Sequence, residues 1–163
     1  MKRLTVAFAA IVATVAVSCS SIDDERIPPY NVYLSFASEA DWITYGVNGA
    51  MQHRSFVKSL REPSTYPWTA MSATGFGGLL LCSDYTGNVV AYDLACPVEC
   101  KQDVRVVVDD KAAVARCPVC GSTYDIYGTH GYPLSGPAHE RHYGLEVYNV
   151  SRGAQGSWLT VTR

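Results

Sequence analysis

Four of the six cysteines in this 163-residue chain fall in two short loops, and each loop places a proline directly after its first cysteine. The loops read Cys96-Pro97-Val98-Glu99-Cys100 and Cys117-Pro118-Val119-Cys120-Gly121, with Lys101 to Arg116 between them. Two tight loops held by a β-rich scaffold bring up to four thiolates to one point, which is what a tetrahedral zinc ion or an iron–sulfur cluster requires. The Cys117-x-x-Cys120-Gly121 spacing suits a metal knuckle, whereas Cys96-x-x-x-Cys100 is one residue longer than the usual pair. Pro97, Pro118 and Gly121 are expected to shape the loops. Taken alone, the residues leave three chemistries open: a four-cysteine [2Fe–2S] cluster, a closed structural zinc site with four cysteine ligands, or disulfides without metal.

The rest of the chain reads as the scaffold for those loops. Residues 31–37 alternate apolar Val32, Leu34 and Phe36 with Tyr33 and Ser35, the period of a half-buried strand. Ser38 followed by Asp41 at the third position predicts a helix start of about one turn. Residues 50–70 give mixed signals, because Pro63 and Pro67 forbid regular structure around them. From Gly77 the pattern is a hairpin: an apolar run through Cys82, a turn over Asp84–Asn88, and a return strand from Val89 to Tyr92. Strands are expected at Val104–Val108, Ala112–Arg116, Leu145–Val150 and Trp158–Val161. Residues 132–137, with Pro133, Gly136 and Pro137, read as a rigid loop covering the cysteine site. No strong amphipathic helix and no repeat is visible, so the fold class is all-β in antiparallel sheets.

Cys82 lies within an apolar run and reads as a buried inert thiol. His53 is isolated, and His130, His139 and His142 read as residues of solvated loops rather than ligands. No His–carboxylate pair stands near a glycine-flanked serine, and no phosphate-cradling glycine loop follows a strand. The formal net charge of -2, with no basic run, speaks against a nucleic-acid partner.

The N-terminus reads as an export signal. A basic Met1-Lys2-Arg3 precedes an apolar run from Leu4 to Val17, too short for a comfortable membrane span. The run ends Ala16-Val17-Ser18-Cys19, which resembles the lipobox of bacterial lipoproteins. That resemblance implies cleavage after residue 18, lipidation of Cys19 and a membrane attachment at the outer membrane, periplasmic or surface-facing. Residues 19–30, acidic at first and then Pro28-Pro29, are expected to form a flexible tether, leaving one domain over 31–163.

From about Gly77 to Val161 the order of features resembles a Rieske-type [2Fe–2S] domain. The residues that carry this are Ala91-Tyr92-Asp93 before Cys96-Pro97, then Cys117-Pro118-x-Cys120-Gly121, Tyr124-Asp125, and Gly136-Pro137-Ala138 before Leu145. The resemblance implies antiparallel sheets with a small two-loop metal-binding subdomain over about 93–138. It also implies Cys96 and Cys117 as ligands and a one-electron role toward an unnamed redox partner. Where the family has its two histidine ligands, this chain has Val98 and Cys120. Cys120 thus replaces one histidine, and only Cys100 is left to replace the other.

Overall fold

The computed structural model describes residues 21–153 and 156–163. The expected signal segment, residues 1–18, and Cys19 lie outside the described residues. The alternating segment forms β1 (Val32–Phe36), with Val32, Leu34 and Phe36 buried. Ser38 then caps α1 (Glu39–Tyr45): its hydroxyl accepts from the Asp41 N–H, and the Asp41 carboxylate accepts from the Ser38 N–H. The helix continues past the single turn predicted from the sequence because Trp42 can bury its ring against Phe36, edge to face at 5.1 Å.

β2 (His53–Phe56) follows, then a 3-10 turn at Lys58–Leu60, a proline-rich irregular stretch, and β3 (Ala73–Thr74). The expected hairpin is β4 (Leu79–Ser83) and β5 (Val89–Asp93), turned by an Asp84 carboxylate that accepts from the N–H groups of Thr86 and Asn88. Four short strands come next: β6 (Val107–Asp109), β7 (Val114–Arg116), β8 (Thr123–Asp125) and β9 (Tyr132–Ser135). A five-residue α2 (Pro137–Arg141) leads into β10 (Val147–Arg152) and β11 (Leu159–Thr162).

The strands form two antiparallel sheets, so the chain is all-β. The larger runs β2-β4-β5-β10-β11-β1-β3, and the smaller β6-β7-β8-β9. The two edges of the larger sheet approach each other where the Lys58 N–H donates to Thr74 Oγ1 at 3.2 Å.

This arrangement explains why β4 shows no alternation. All five of its residues are buried. Leu79 and Leu81 join an aromatic-rich core with Phe36, Phe56, Tyr66 and Leu159. Leu80 and Cys82 face the other way, into a second core with Tyr92, Ala115, Tyr124, Ile126 and Leu145 under the small sheet. A strand covered on both faces reads as a continuous apolar run.

Three sequence expectations shift. The strand foreseen at Val104–Val108 starts only at Val107. The residues before it are taken up by the first cysteine loop, whose Cys96 N–H donates to Val104 O at 3.0 Å and whose Leu94 carbonyl accepts from Val106 at 2.8 Å. The stretch foreseen as a rigid loop, 132–137, is mostly β9, where Pro133 is tolerated because β9 is an edge strand. Finally, the described part of the foreseen tether, residues 21–30, lies against the domain: Asp23 N–H donates to His142 O at 2.8 Å, Gly144 N–H donates to Asp23 O at 2.9 Å, and Ile27 is buried.

Candidate metal centre

Both cysteine loops are built on the same closure. In the first, the Cys100 N–H donates to Cys96 O at 2.9 Å; in the second, the Gly121 N–H donates to Cys117 O at 3.0 Å. In each the residue four places on is left-handed, with φ of 48° at Cys100 and 73° at Gly121. The loops therefore superpose in sequence as Cys96 with Cys117, Glu99 with Cys120, and Cys100 with Gly121. A Cβ placed on Gly121 would meet nothing within 4 Å.

That equivalence decides which cysteines meet. The Sγ atoms of Cys96, Cys117 and Cys120 lie within 4.8 Å of one another, and Cys96 and Cys120 are 3.6 Å apart across the two loops. Cys100 is not in the group. Its thiol donates instead to Pro97 O at 3.1 Å and to Arg26 O, on the N-terminal segment, at 3.6 Å. The four-cysteine grouping expected from the sequence is thus a group of three, because Glu99 stands where the second loop has Cys120, and Cys100 stands where it has its glycine. The described cysteines are all free thiols.

The surroundings treat the three thiols differently. Cys96 and Cys117 are fully buried, and Cys120 is half-buried. Burial pushes the Cys96 thiol up to about 12, against hydrogen bonds from the Tyr124 hydroxyl at 3.5 Å and from the backbone of Glu99 and Val98. At Cys120 partial burial also raises the thiol, but the Ser122 hydroxyl and N–H, with the Cys117 and Cys96 thiols, more than offset it and leave it below the ordinary value. Ser122 Oγ lies 3.2 Å from Cys120 Sγ and accepts from the Ala138 N–H at 3.0 Å. The hydroxyl oxygen accepts from the Cys120 thiol as well as from Ala138, and its own proton is available to a Cys120 thiolate, the kind of outer contact that steadies a metal ligand. Through Ala138, the Gly136-Pro137 corner supports the second loop from behind.

The first loop is held by Asp93, a residue the sequence marked only within the Ala91-Tyr92-Asp93 run before that loop. Its buried carboxylate accepts from the N–H groups of Phe76 (2.8 Å), Gly77 (3.0 Å) and Ala95 (2.6 Å) and from the Tyr148 hydroxyl (2.5 Å). Burial still leaves its pKa raised, with those donors opposing. Gly77 sits so close that a Cβ there would be 2.5 Å from the Ala95 nitrogen. The Arg105 guanidinium also reaches Gly77 O.

The histidines lie elsewhere. His53 Nδ1 is 3.2 Å from the Tyr127 hydroxyl, and His139 Nδ1 is 2.9 Å from Pro133 O. Neither His130 nor His142 is in the cysteine group. Cys82 is completely buried, with its thiol raised by burial, and its strand faces it away from solvent. Among the described residues, no helix is long and apolar enough to cross a membrane. No protein-family model matches the chain, and no curated protein matches its sequence.

Proposed function

We propose that this chain is an exported, lipid-anchored protein of Rieske-like build whose two loops bind one thiophilic metal ion through Cys96, Cys117 and Cys120. The observation that carries the proposal is the convergence of three Sγ atoms from two loops within 4.8 Å. A single zinc-like ion with metal–sulfur bonds of about 2.3 Å sets its thiolates roughly 3.8 Å apart in a tetrahedron. The 3.6 Å separation of Cys96 and Cys120 agrees with that spacing. Three protein thiolates leave one vertex for a ligand from outside, as in open rather than closed zinc sites. On this reading the domain is a binding or structural module tied together by its metal.

A second reading is a [2Fe–2S] cluster serving one-electron transfer to a redox partner in the cell envelope. The observation favouring it is the inner and outer division of the site: Cys96 and Cys117 are fully buried, while Cys120 and Val98 are half-buried. The Tyr124 hydroxyl near Cys96 Sγ is also placed to tune such a cluster. An all-thiolate cluster would lie at lower potential than a histidine-ligated one. It would also require Cys120 to step away from Cys96 and Cys100 to leave its carbonyl partners.

Cobalt(II) titrated into the reduced full chain under argon tests the proposal. Thiolate-to-cobalt charge-transfer absorption should saturate at one equivalent, Cys117→Ser should remove it, and Cys100→Ser should leave it intact. No charge-transfer absorption from the wild-type chain overturns the proposal. Loss of absorption in Cys100→Ser would move the assignment to four thiolates.

A further inference from the structure

Two of the same three cysteines are placed for a second chemistry that does not depend on metal. Cys96 and Cys120 come from different loops, yet their sulfurs are 3.6 Å apart, already in van der Waals contact. Cys120 is reachable from solvent, being half-buried beside the exposed Pro118 and Val119, whereas Cys96 is sealed inside the second core. An accessible thiol in contact with a protected one is the arrangement by which a dithiol accepts and then resolves a mixed disulfide. Cys100, the other half-buried cysteine of the loops, is turned to the Pro97 and Arg26 carbonyls and is not in that contact.

We propose that in the metal-free protein Cys96 and Cys120 form a reversible inter-loop disulfide by exchange with a low-molecular-weight disulfide, and that metal bound at the site blocks the exchange. The deprotonated Cys120 sulfur attacks one sulfur of glutathione disulfide. The glutathione S–S bond breaks, one glutathione leaves as thiolate and takes up the proton that Cys120 gave up, and Cys120 is left as a mixed disulfide. The Cys96 sulfur, losing its own proton, attacks Cys120 Sγ and expels the second glutathione. Two cysteine thiols are oxidised, one glutathione disulfide is reduced to two glutathiones, and the Cys96–Cys120 bond closes. Excess reduced glutathione reverses both steps. Cys117 is left as a thiol, and the oxidised site has lost two of its three metal ligands, so metal occupancy and disulfide exclude each other.

The test uses the full chain, reduced and stripped of metal with a chelator, then exposed to glutathione disulfide with and without one equivalent of zinc. Free-thiol titration should fall by two per chain, and peptide mapping should recover a Cys96–Cys120 cross-link. Cys117→Ser should still form it, and Cys96→Ser should stop at a glutathione adduct on Cys120. A Cys117–Cys120 cross-link, or no inter-loop cross-link, overturns the proposal. Zinc should protect both thiols. If zinc binds by direct metal analysis and yet leaves the exchange rate unchanged, the mutual exclusion is wrong. If zinc does not bind while the cross-link still forms, the metal-site reading fails and the dithiol chemistry stands without it.

Discussion

Glu146 shows how one buried carboxyl can set the pH response of the whole chain. It is 6% exposed, pairs through Oε1 with Arg163 Nη2 at 2.9 Å, and leaves Oε2 without a partner. Burial raises its pKa from 4.5 to about 7, with the Arg163 charge opposing and the Asp93 charge adding to the rise. A carboxyl that is harder to ionise in the fold binds its proton more tightly there than in the unfolded chain. Stability is therefore highest below the unfolded value and falls as pH rises from about 4.5 to about 7. The loss is about 3 kcal/mol at most, set by 1.36 kcal/mol per pH unit. Asp93, also raised by burial, acts in the same direction. Urea midpoints should drop across that window, and Glu146→Gln should flatten the upper part of the drop. A midpoint that rises across the window in the wild type would contradict this assignment. None of this is visible in the sequence, where Glu146 is a polar residue within an apolar strand pattern and its burial depends on which way β10 faces.

Among the elements, the connection from β4 and β5 into the first cysteine loop does the most to position the site. Asp93 ties Gly77 and Ala95 together from the end of β5, and Cys96 is the next residue. Gly77→Ala would drive a Cβ to 2.5 Å from the Ala95 nitrogen, a backbone neighbour that cannot swing away. It should cost about 1–3 kcal/mol, the range for forcing extra volume into packed structure. It should also weaken cobalt binding by shifting Cys96. A variant with wild-type urea midpoint and cobalt affinity would show that this contact does not hold the loop. Much at this scale was legible in advance. The Leu79–Cys82 run and the Asp84–Asn88 turn mark the hairpin, and Ser38 with Asp41 marks the cap of α1. α2 was missed because it begins at Gly136-Pro137 and continues with polar His139 and Glu140, which resemble a solvated loop. β9 was missed because Pro133 argues against a strand until its edge position is known. That Cys100 stands outside the group of three sulfurs was not legible, because residue spacing does not reveal loop closure: it occupies the left-handed place that Gly121 fills in the second loop.

At the scale of the whole molecule, two cores lie back to back on β4 and β5, and Cys96 and Cys117 belong to the one under the small sheet, away from the aromatic-rich core. The N-terminal segment does not simply trail from this body. Asp23 pairs beside Tyr143, the Arg26 guanidinium stacks 4.4 Å over the Tyr143 ring, and the Arg26 carbonyl meets Cys100. In the sequence its acids and Pro28-Pro29 suggest a solvated spacer, whereas in the structure Ile27 is buried as well. The proposed function stands or falls with metal bound by the thiols of these loops. The most direct measurement is metal and acid-labile sulfide content, with the absorption spectrum, of the full chain purified without oxygen. One thiophilic ion per chain and no sulfide are expected. Two irons and two sulfides with visible charge-transfer bands would replace the single-ion centre by the cluster, and a chain with neither metal nor sulfide would contradict the claim outright.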